Sequence, residues 1–173
     1  ISLGVASGIG MLTAGVSVSG IAQRMFAGVD SFSYLAIPMF MLAGKLMEYG
    51  GISARIVQVA KILCAKVRGG LAITSIVACS FFAALSGSAP ATVSAIGGIM
   101  YPEMVKRGYP SDYSTAVQAV GGTLGIIIPP SIVFVIYGST NGVSISKLLM
   151  SGMLPGILTA VVLCLYGYVV AKK

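Results

Sequence analysis

Runs of apolar residues, each bounded by a short charged cluster, divide the chain into segments on the scale of a bilayer crossing. The first, residues 1–20, carries Gly4, Gly8, Gly10, Gly15 and Gly20, which predicts a single membrane helix built for close packing. A short amphipathic stretch with Gln23, Arg24 and Asp30 leads into a second apolar segment, 31–47, which contains Pro38 and ends near Lys45 and Glu48. Gly50 and Gly51 stop it. Residues 1–50 therefore read as two transmembrane helices with a short connection. From 51 to 69 the period changes: apolar residues at 52, 56, 59, 60, 63, 64 and 67 oppose Arg55, Gln58, Lys61 and Arg68. That predicts an amphipathic helix lying at the cytoplasmic interface, flanked as it is by membrane segments.

Residues 69–101 contain no charged side chain, and as one helix they would run ~50 Å, too long for a single crossing. In their middle stands Leu85-Ser86-Gly87-Ser88-Ala89-Pro90-Ala91-Thr92, small, hydroxylated and helix-breaking. Basic residues flank both ends, Lys61, Lys66 and Arg68 before and Lys106 and Arg107 after, so the positive-inside bias puts both ends on one side. Two arms, roughly 70–86 and 91–101, are each shorter than a full crossing. Length and charge together predict a re-entrant helical hairpin over 70–108 with its tip near the midplane.

Residues 109–140 form another interrupted segment, broken by Gly121-Gly122-Thr123-Leu124-Gly125 and by Pro129-Pro130-Ser131. Proline has no N–H to donate a turn back, so Pro129 and Pro130 deprive the carbonyls of Gly125 and Ile126 of helical partners. A polar 138–142 loop leads to a last span, 146–170, within residues 141–173, closed by Lys172 and Lys173. The fold class expected is an all-α polytopic membrane protein, with every basic cluster except Arg24 and Lys147 on one face.

Composition agrees with this pattern: 57% of residues are hydrophobic, 9% are charged, and the mean hydropathy is +0.99. The net charge of +7 lies at segment ends, where the cytoplasmic bias of Lys and Arg accounts for it better than nucleic acid does. Cys64, Cys79 and Cys164 form no CxxC pair and there is no histidine, so no zinc or haem site is expected; the cysteines read as small core residues. The chain opens inside an apolar run without an initiator Met, which predicts a truncated or processed sequence.

A re-entrant hairpin beside a discontinuous span is how secondary transporters build ion and substrate sites, because unwound backbone offers carbonyls to Na⁺ and helix ends offer N–H groups to anions. The hydroxyls of Ser86, Ser88, Thr92, Thr123 and Ser131 suit a hard cation. The alternative is that these small residues only let helices pack closely. The candidate site comprises Ser86, Gly87, Ser88, Ala89, Pro90 and Thr92 from the hairpin, with Gly121, Gly122, Thr123, Gly125, Ile126, Pro129, Pro130 and Ser131 from the broken span. Na⁺ is expected near Ser86, Ser88, Thr123 and Gly125. Glu103 is expected to pair with Arg107 at i, i+4.

The strings FFAALSGSAPATVSAIGGIMYPEMVKRGYP, GGTLGIIIPPSIVFVIYG and SGMLPGIL, in this order, resemble the large membrane subunit of the tripartite ATP-independent periplasmic (TRAP) transporters. The resemblance covers nearly the whole chain and corresponds to the N-terminal half of such a subunit. It implies an elevator-type symporter of the bacterial inner membrane, in which a periplasmic binding protein delivers a dicarboxylate, sialic acid or similar carboxylate and Na⁺ drives uptake. It also implies a small membrane subunit as partner and a second, inverted repeat that completes the site. No cofactor other than the coupling ion is implied. No basic residue of this chain is expected where it would neutralise a carboxylate at the midplane.

Two other readings were weighed. An ion channel would use the re-entrant loop as a filter of carbonyls, but a hairpin beside a broken helix is the transporter arrangement. An intramembrane enzyme with Ser86 or Ser88 as nucleophile lacks a base, since Asp30, Glu48, Glu103 and Asp112 all flank membrane segments.

Overall fold

The computed structural model describes residues 2–15, 17–30, 32–64, 67 and 69–171, with backbone only for residues 3, 18, 21, 29, 32 and 33. Lys66, Arg68, Lys172 and Lys173, which carried part of the charge argument, lie outside the described residues. The described residues form helices and turns without strands.

The expected first span divides in two. Helix α1 (Ser2–Thr13) ends at Gly15, whose φ of +78° is open to glycine at little cost, and α2 (Val18–Val29) begins behind Ser17, whose hydroxyl accepts from the Gly20 N–H. At 12 residues each, these helices are ~18 Å long, short of a ~30 Å core. The amphipathic connection expected after residue 20 is part of α2. Helix α3 (Phe32–Tyr49) carries Pro38 in its interior, and α4 (Ile52–Cys64) follows a turn in which Gly51 has φ +75°.

The centre of the molecule is built on α5 (Gly70–Ser86). Gly87, at φ +63°, ends it with its N–H bonded to the Ala83 carbonyl, and Ser88 turns the chain into a return arm. That arm has three pieces: α6 (Ala89–Thr92), a π-turn (Val93–Gly97) and α7 (Gly98–Lys106). The predicted arm limits were 86 and 91; the return begins two residues sooner. Helix α8 (Ser111–Ile127) lies along both arms. Going up α8, Gln118 meets Ser75 and Gly97, Gly121 meets Cys79, Gly122 meets Val93, and Gly125 meets Ser88. Helix α8 is therefore parallel to α5 and antiparallel to the return arm, so residues 70–106 are a helical hairpin whose tip stands level with Gly125.

After a break at 128–131, α9 (Ile132–Asn141) continues past the tip; the residues expected as a polar loop from 138 remain helical up to the left-handed Gly142. Helix α10 (Ile145–Val170) then returns, its middle third level with the tip, where Gly156 abuts Ile128, and its end beside the start of α5, where Gly167 meets Ala72 and Ile73. Among the described residues, two segments are long and apolar enough to cross a membrane, Ser111–Asn141 at 31 residues and Ile145–Val170 at 26.

Phe82, Ile96, Met100 and Cys79 are buried in a cluster that α4 joins through Val57 and Ala60, while Ile76, Ala83 and Leu124 knit α5 and α8 to α10. Only part of the expected α4 stripe packs this way: Val59 and Leu63 are exposed. Glu103 binds Lys61 of α4 rather than Arg107, because the packing of α4 on the hairpin brings a long-range partner nearer than the local one. Along α10 the outward face is apolar, with Met150 and Leu154 about three-quarters exposed, the distribution of a helix whose solvent is lipid or another protein surface.

Candidate functional site

The site begins with a short sequence fact: Ser86, Ser88 and Thr92 are separated by spacings that let one turn of chain fold back on itself. Ser88 is extended, with φ −137° and ψ 123°, while Ser86 ends one helix and Thr92 ends the first turn of the next. The Ser88 N–H donates to Ser86 Oγ at 3.4 Å, Ser86 Oγ lies 3.1 Å from Thr92 Oγ1, and Thr92 Oγ1 donates to the Ser88 carbonyl at 2.8 Å. Counting protons assigns the middle link, since the Thr92 proton is committed to Ser88 and Ser86 must be the donor. The result is a closed ring of hydrogen bonds that starts and ends on the peptide groups of Ser88. Each hydroxyl accepts once and donates once, and so keeps one lone pair. Ser86 and Thr92 are buried at 2% and 0% exposure.

Gly125 forms the floor. A Cβ there would lie 2.7 Å from both the Ser88 carbonyl oxygen and Thr92 Oγ1, so any side chain would collide with the ring. Gly122, one turn earlier on the same face, admits Val93 and lies beside the Ala89 carbonyl. Gly121 faces Cys79 instead, where its added Cβ would stand 3.1 Å from Sγ.

The proline break meets the tip from the other side. The Ile132 N–H donates to the Gly87 carbonyl at 3.2 Å, and a Cβ on Gly87 would stand 2.5 Å from the Pro130 carbonyl oxygen. The Pro129–Pro130 peptide is cis. The carbonyl of Ile126, expected to lack a helical partner, receives the Ser131 hydroxyl at 2.7 Å, and Ser131 Oγ caps α9 by accepting from the Phe134 N–H at 3.4 Å. Ser131 is fully buried, with its proton committed.

Apart from one, the residues expected from sequence thus fall into three groups. Ser86, Gly87, Ser88, Thr92, Gly122, Gly125 and Pro130 converge, with Ala89 beside them, while Gly121 faces Cys79 and stays outside all three groups. Ile126 and Ser131 serve each other at the break, next to Pro129. Thr123 and Pro90 are exposed, and Thr123 bonds the Val120 carbonyl of its own helix at 2.7 Å; it stands about 100° round α8 from Gly122.

Two features were missed. Below the tip, Ser75 donates to Gln118 Oε1 at 2.8 Å and Gln118 Nε2 approaches Met104 Sδ at 3.5 Å, which ties α5, α8 and α7 together through a buried polar core. A glutamine in an otherwise apolar run was the available signal. Lys45, near the end of its segment, follows Gly44, where an added Cβ would stand 3.7 Å from Ser86; its ammonium is bonded to Glu48 at 2.8 Å.

The whole chain, residues 1–173, matches the model of the tripartite ATP-independent periplasmic transporter, DctM component. The chain belongs to the DctM family. The isethionate TRAP transporter permease protein DctMQ of Oleidesulfovibrio alaskensis is 44% identical over 100% of this chain and 27% of its own length. The C4-dicarboxylate TRAP transporter large permease protein DctM of Vibrio cholerae is 44% identical over 99% of this chain and 38% of its own. The 2,3-diketo-L-gulonate TRAP transporter large permease protein YiaN of Escherichia coli is 43% identical over 84% of this chain and 34% of its own. The chain thus spans roughly a quarter to two fifths of the length of these curated relatives.

Proposed function

We propose that this chain forms part of the membrane permease of a Na⁺-coupled importer of organic anions, with the hairpin re-entering the membrane and its tip holding the coupling ion. The observation that carries the reading is the meeting of two helix breaks: the Gly87 carbonyl accepts from Ile132 at the start of α9, while the Ser86–Ser88–Thr92 ring sits on Gly125 of α8. Two interrupted helices that satisfy each other's backbone groups are tolerated at membrane depth and leave oxygens in a dry setting. Ser86 and Thr92 each keep one lone pair, on hydroxyl oxygens 3.1 Å apart and beside the Ser88 carbonyl, whose own lone pairs accept from the Thr92 N–H and hydroxyl; paired hydroxyl oxygens suit a hard cation. The tip stands level with the middle third of the 26-residue α10, which favours a site near the midplane.

The substrates in the relatives' names, isethionate, C4-dicarboxylate and 2,3-diketo-L-gulonate, are all organic anions, and an anion of this class is the cargo proposed here. A small membrane subunit, a periplasmic binding protein, a second inverted repeat and elevator motion of the hairpin complete the proposal, in the inner membrane.

The test is uptake by the full-length permease, reconstituted with its partners, with and without a Na⁺ gradient. Saturable uptake that requires Na⁺, and requires more of it in Thr92→Val, supports the reading; uptake indifferent to Na⁺, or an unsaturating current, overturns it. Single cysteines at Ser88 and Arg107, on a cysteine-free background, test the membrane placement. Labelling at Arg107 by an impermeant reagent in inverted vesicles but not in intact cells is expected; labelling there in intact cells would overturn the cytoplasmic placement of the hairpin's base.

A further inference from the structure

At the opposite end of α5 from the tip, a cavity of about 470 Å³ opens between the base of the hairpin and α4, walled by Lys61, Gly70, Thr74, Glu103, Arg107 and Tyr109. Its floor is the first turn of a 17-residue helix whose N-cap is Gly69, a residue without a side chain to cap it. The N–H groups of Ala72 and Ile73 both bond the Gly69 carbonyl, whereas those of Gly70 and Leu71 have no carbonyl a turn earlier within the helix. The positive end of the α5 dipole faces the cavity.

Thr74 supplies the independent observation. It is 2% exposed and lines this cavity, and its hydroxyl has no hydrogen-bond partner among the described residues. No fully enclosed side-chain polar atom among them is left without a partner, so this hydroxyl reaches the cavity itself. Charge is arranged to match. Of the groups on the wall, Lys61 and Glu103 neutralise each other, and Arg107 makes no ion pair with any described residue. One uncommitted guanidinium, one uncommitted hydroxyl and a helix N-terminus converge on a space within the size range of small-molecule sites.

We infer that this cavity is a binding site for a phosphate group, either free phosphate or the headgroup of an anionic phospholipid. A tetrahedral oxyanion accepts from the guanidinium fork, from the Thr74 hydroxyl and from helix N–H groups together. The site is separate from the tip and does not depend on Na⁺ coupling.

The experiment uses the full-length protein purified in detergent. One arm titrates phosphatidylglycerol and counts retained lipid by native mass spectrometry; the other titrates inorganic phosphate by calorimetry. Saturable binding of one probe per chain is expected. Arg107→Ala should weaken it about tenfold, as the loss of a charge-assisted contact. The near-isosteric Thr74→Val should weaken it about fivefold while leaving the fold intact. Lipid binding alone assigns a headgroup site, and phosphate binding alone, or of both, assigns a site for the free anion. Absence of saturable binding to either probe, or binding that both variants retain at parental affinity, overturns the inference.

Discussion

The chain interrupts two apolar helices, once with glycine and serine at 86–88 and once with paired prolines at 129–130, and the two interruptions dispose of their polar groups differently. At the hairpin tip, two hydroxyls and the two peptide groups of Ser88 bond one another in a ring, so the hydroxyl oxygens are held close with a lone pair each to spare. At the proline break a single buried hydroxyl, Ser131, repairs the helix with one bond to Ile126 and one from Phe134, and its one spare lone pair is not joined to a second hydroxyl among the described residues. The first arrangement is suited to receiving a ligand, and the second to keeping a backbone in place. They touch through the Ile132 N–H and the Gly87 carbonyl, so movement of one would be felt by the other.

The largest effect should come from forcing them apart. Gly125→Leu pushes a side chain into the Ser88 carbonyl and Thr92 hydroxyl. Overpacking of this kind costs about 1–3 kcal/mol, and Na⁺-dependent uptake in proteoliposomes should fall to background. Gly98→Leu is the matched control: nothing lies within 4 Å of its added Cβ, so uptake should survive. If the two variants behave alike, the close fit of tip on α8 is irrelevant to transport.

A smaller and more discriminating pair removes one hydroxyl from each break. Thr92→Val opens the ring and should raise the Na⁺ concentration for half-maximal uptake about tenfold, equivalent to ~1.4 kcal/mol. Ser131→Ala leaves the Ile126 carbonyl without its donor and should cost ~1 kcal/mol of stability, seen as a lower melting temperature, with the Na⁺ dependence unmoved. The reverse pattern would transfer the ion site from the tip to the proline break.

Sequence reasoning located two breaks because glycine and proline act locally: Gly87 stops α5 where it stands, and Pro129-Pro130 ends α8 within two residues. The interruption expected at Gly121-Gly122-Thr123-Leu124-Gly125 is absent: α8 runs through it unbroken, and Gly121, Gly122 and Gly125 serve close packing against Cys79, Val93 and Ser88. Sequence reasoning also failed where the outcome is decided by rotation or by distant partners. Thr92 and Thr123 are chemically alike, but the phase of each helix turns one inward and the other outward. Glu103 has a cation four residues on, yet binds Lys61, 42 residues away in the chain, because the contact of α4 with the hairpin decides the pairing. The first apolar run was read as one span by hydropathy alone. Gly15 followed by Ser17, a helix stop next to an N-cap, was the signal for two helices. The π-turn at Val93–Gly97 has no local signature to read; it occurs where the return arm passes Gly122 and Gln118.

The smallest predicted effect concerns the polar link below the tip, which belongs to neither break. Ser75 and Gln118 join parallel helices of one packed body, and an interhelical hydrogen bond inside a membrane protein contributes on average ~0.6 kcal/mol. A double-mutant cycle with Ser75→Ala and Gln118→Leu should therefore give a coupling of about that size in thermal unfolding, with the Na⁺ response of both single variants unchanged. The Ser75 proton is donated to Gln118, and Gln118 is held in turn against Met104, so the link fixes the hairpin on α8 without offering an open ligand position. A shift in Na⁺ dependence in Gln118→Leu comparable to that in Thr92→Val would extend the ion-responsive region from the tip down the seam of the hairpin, and the contrast between the two breaks would no longer describe where coupling resides.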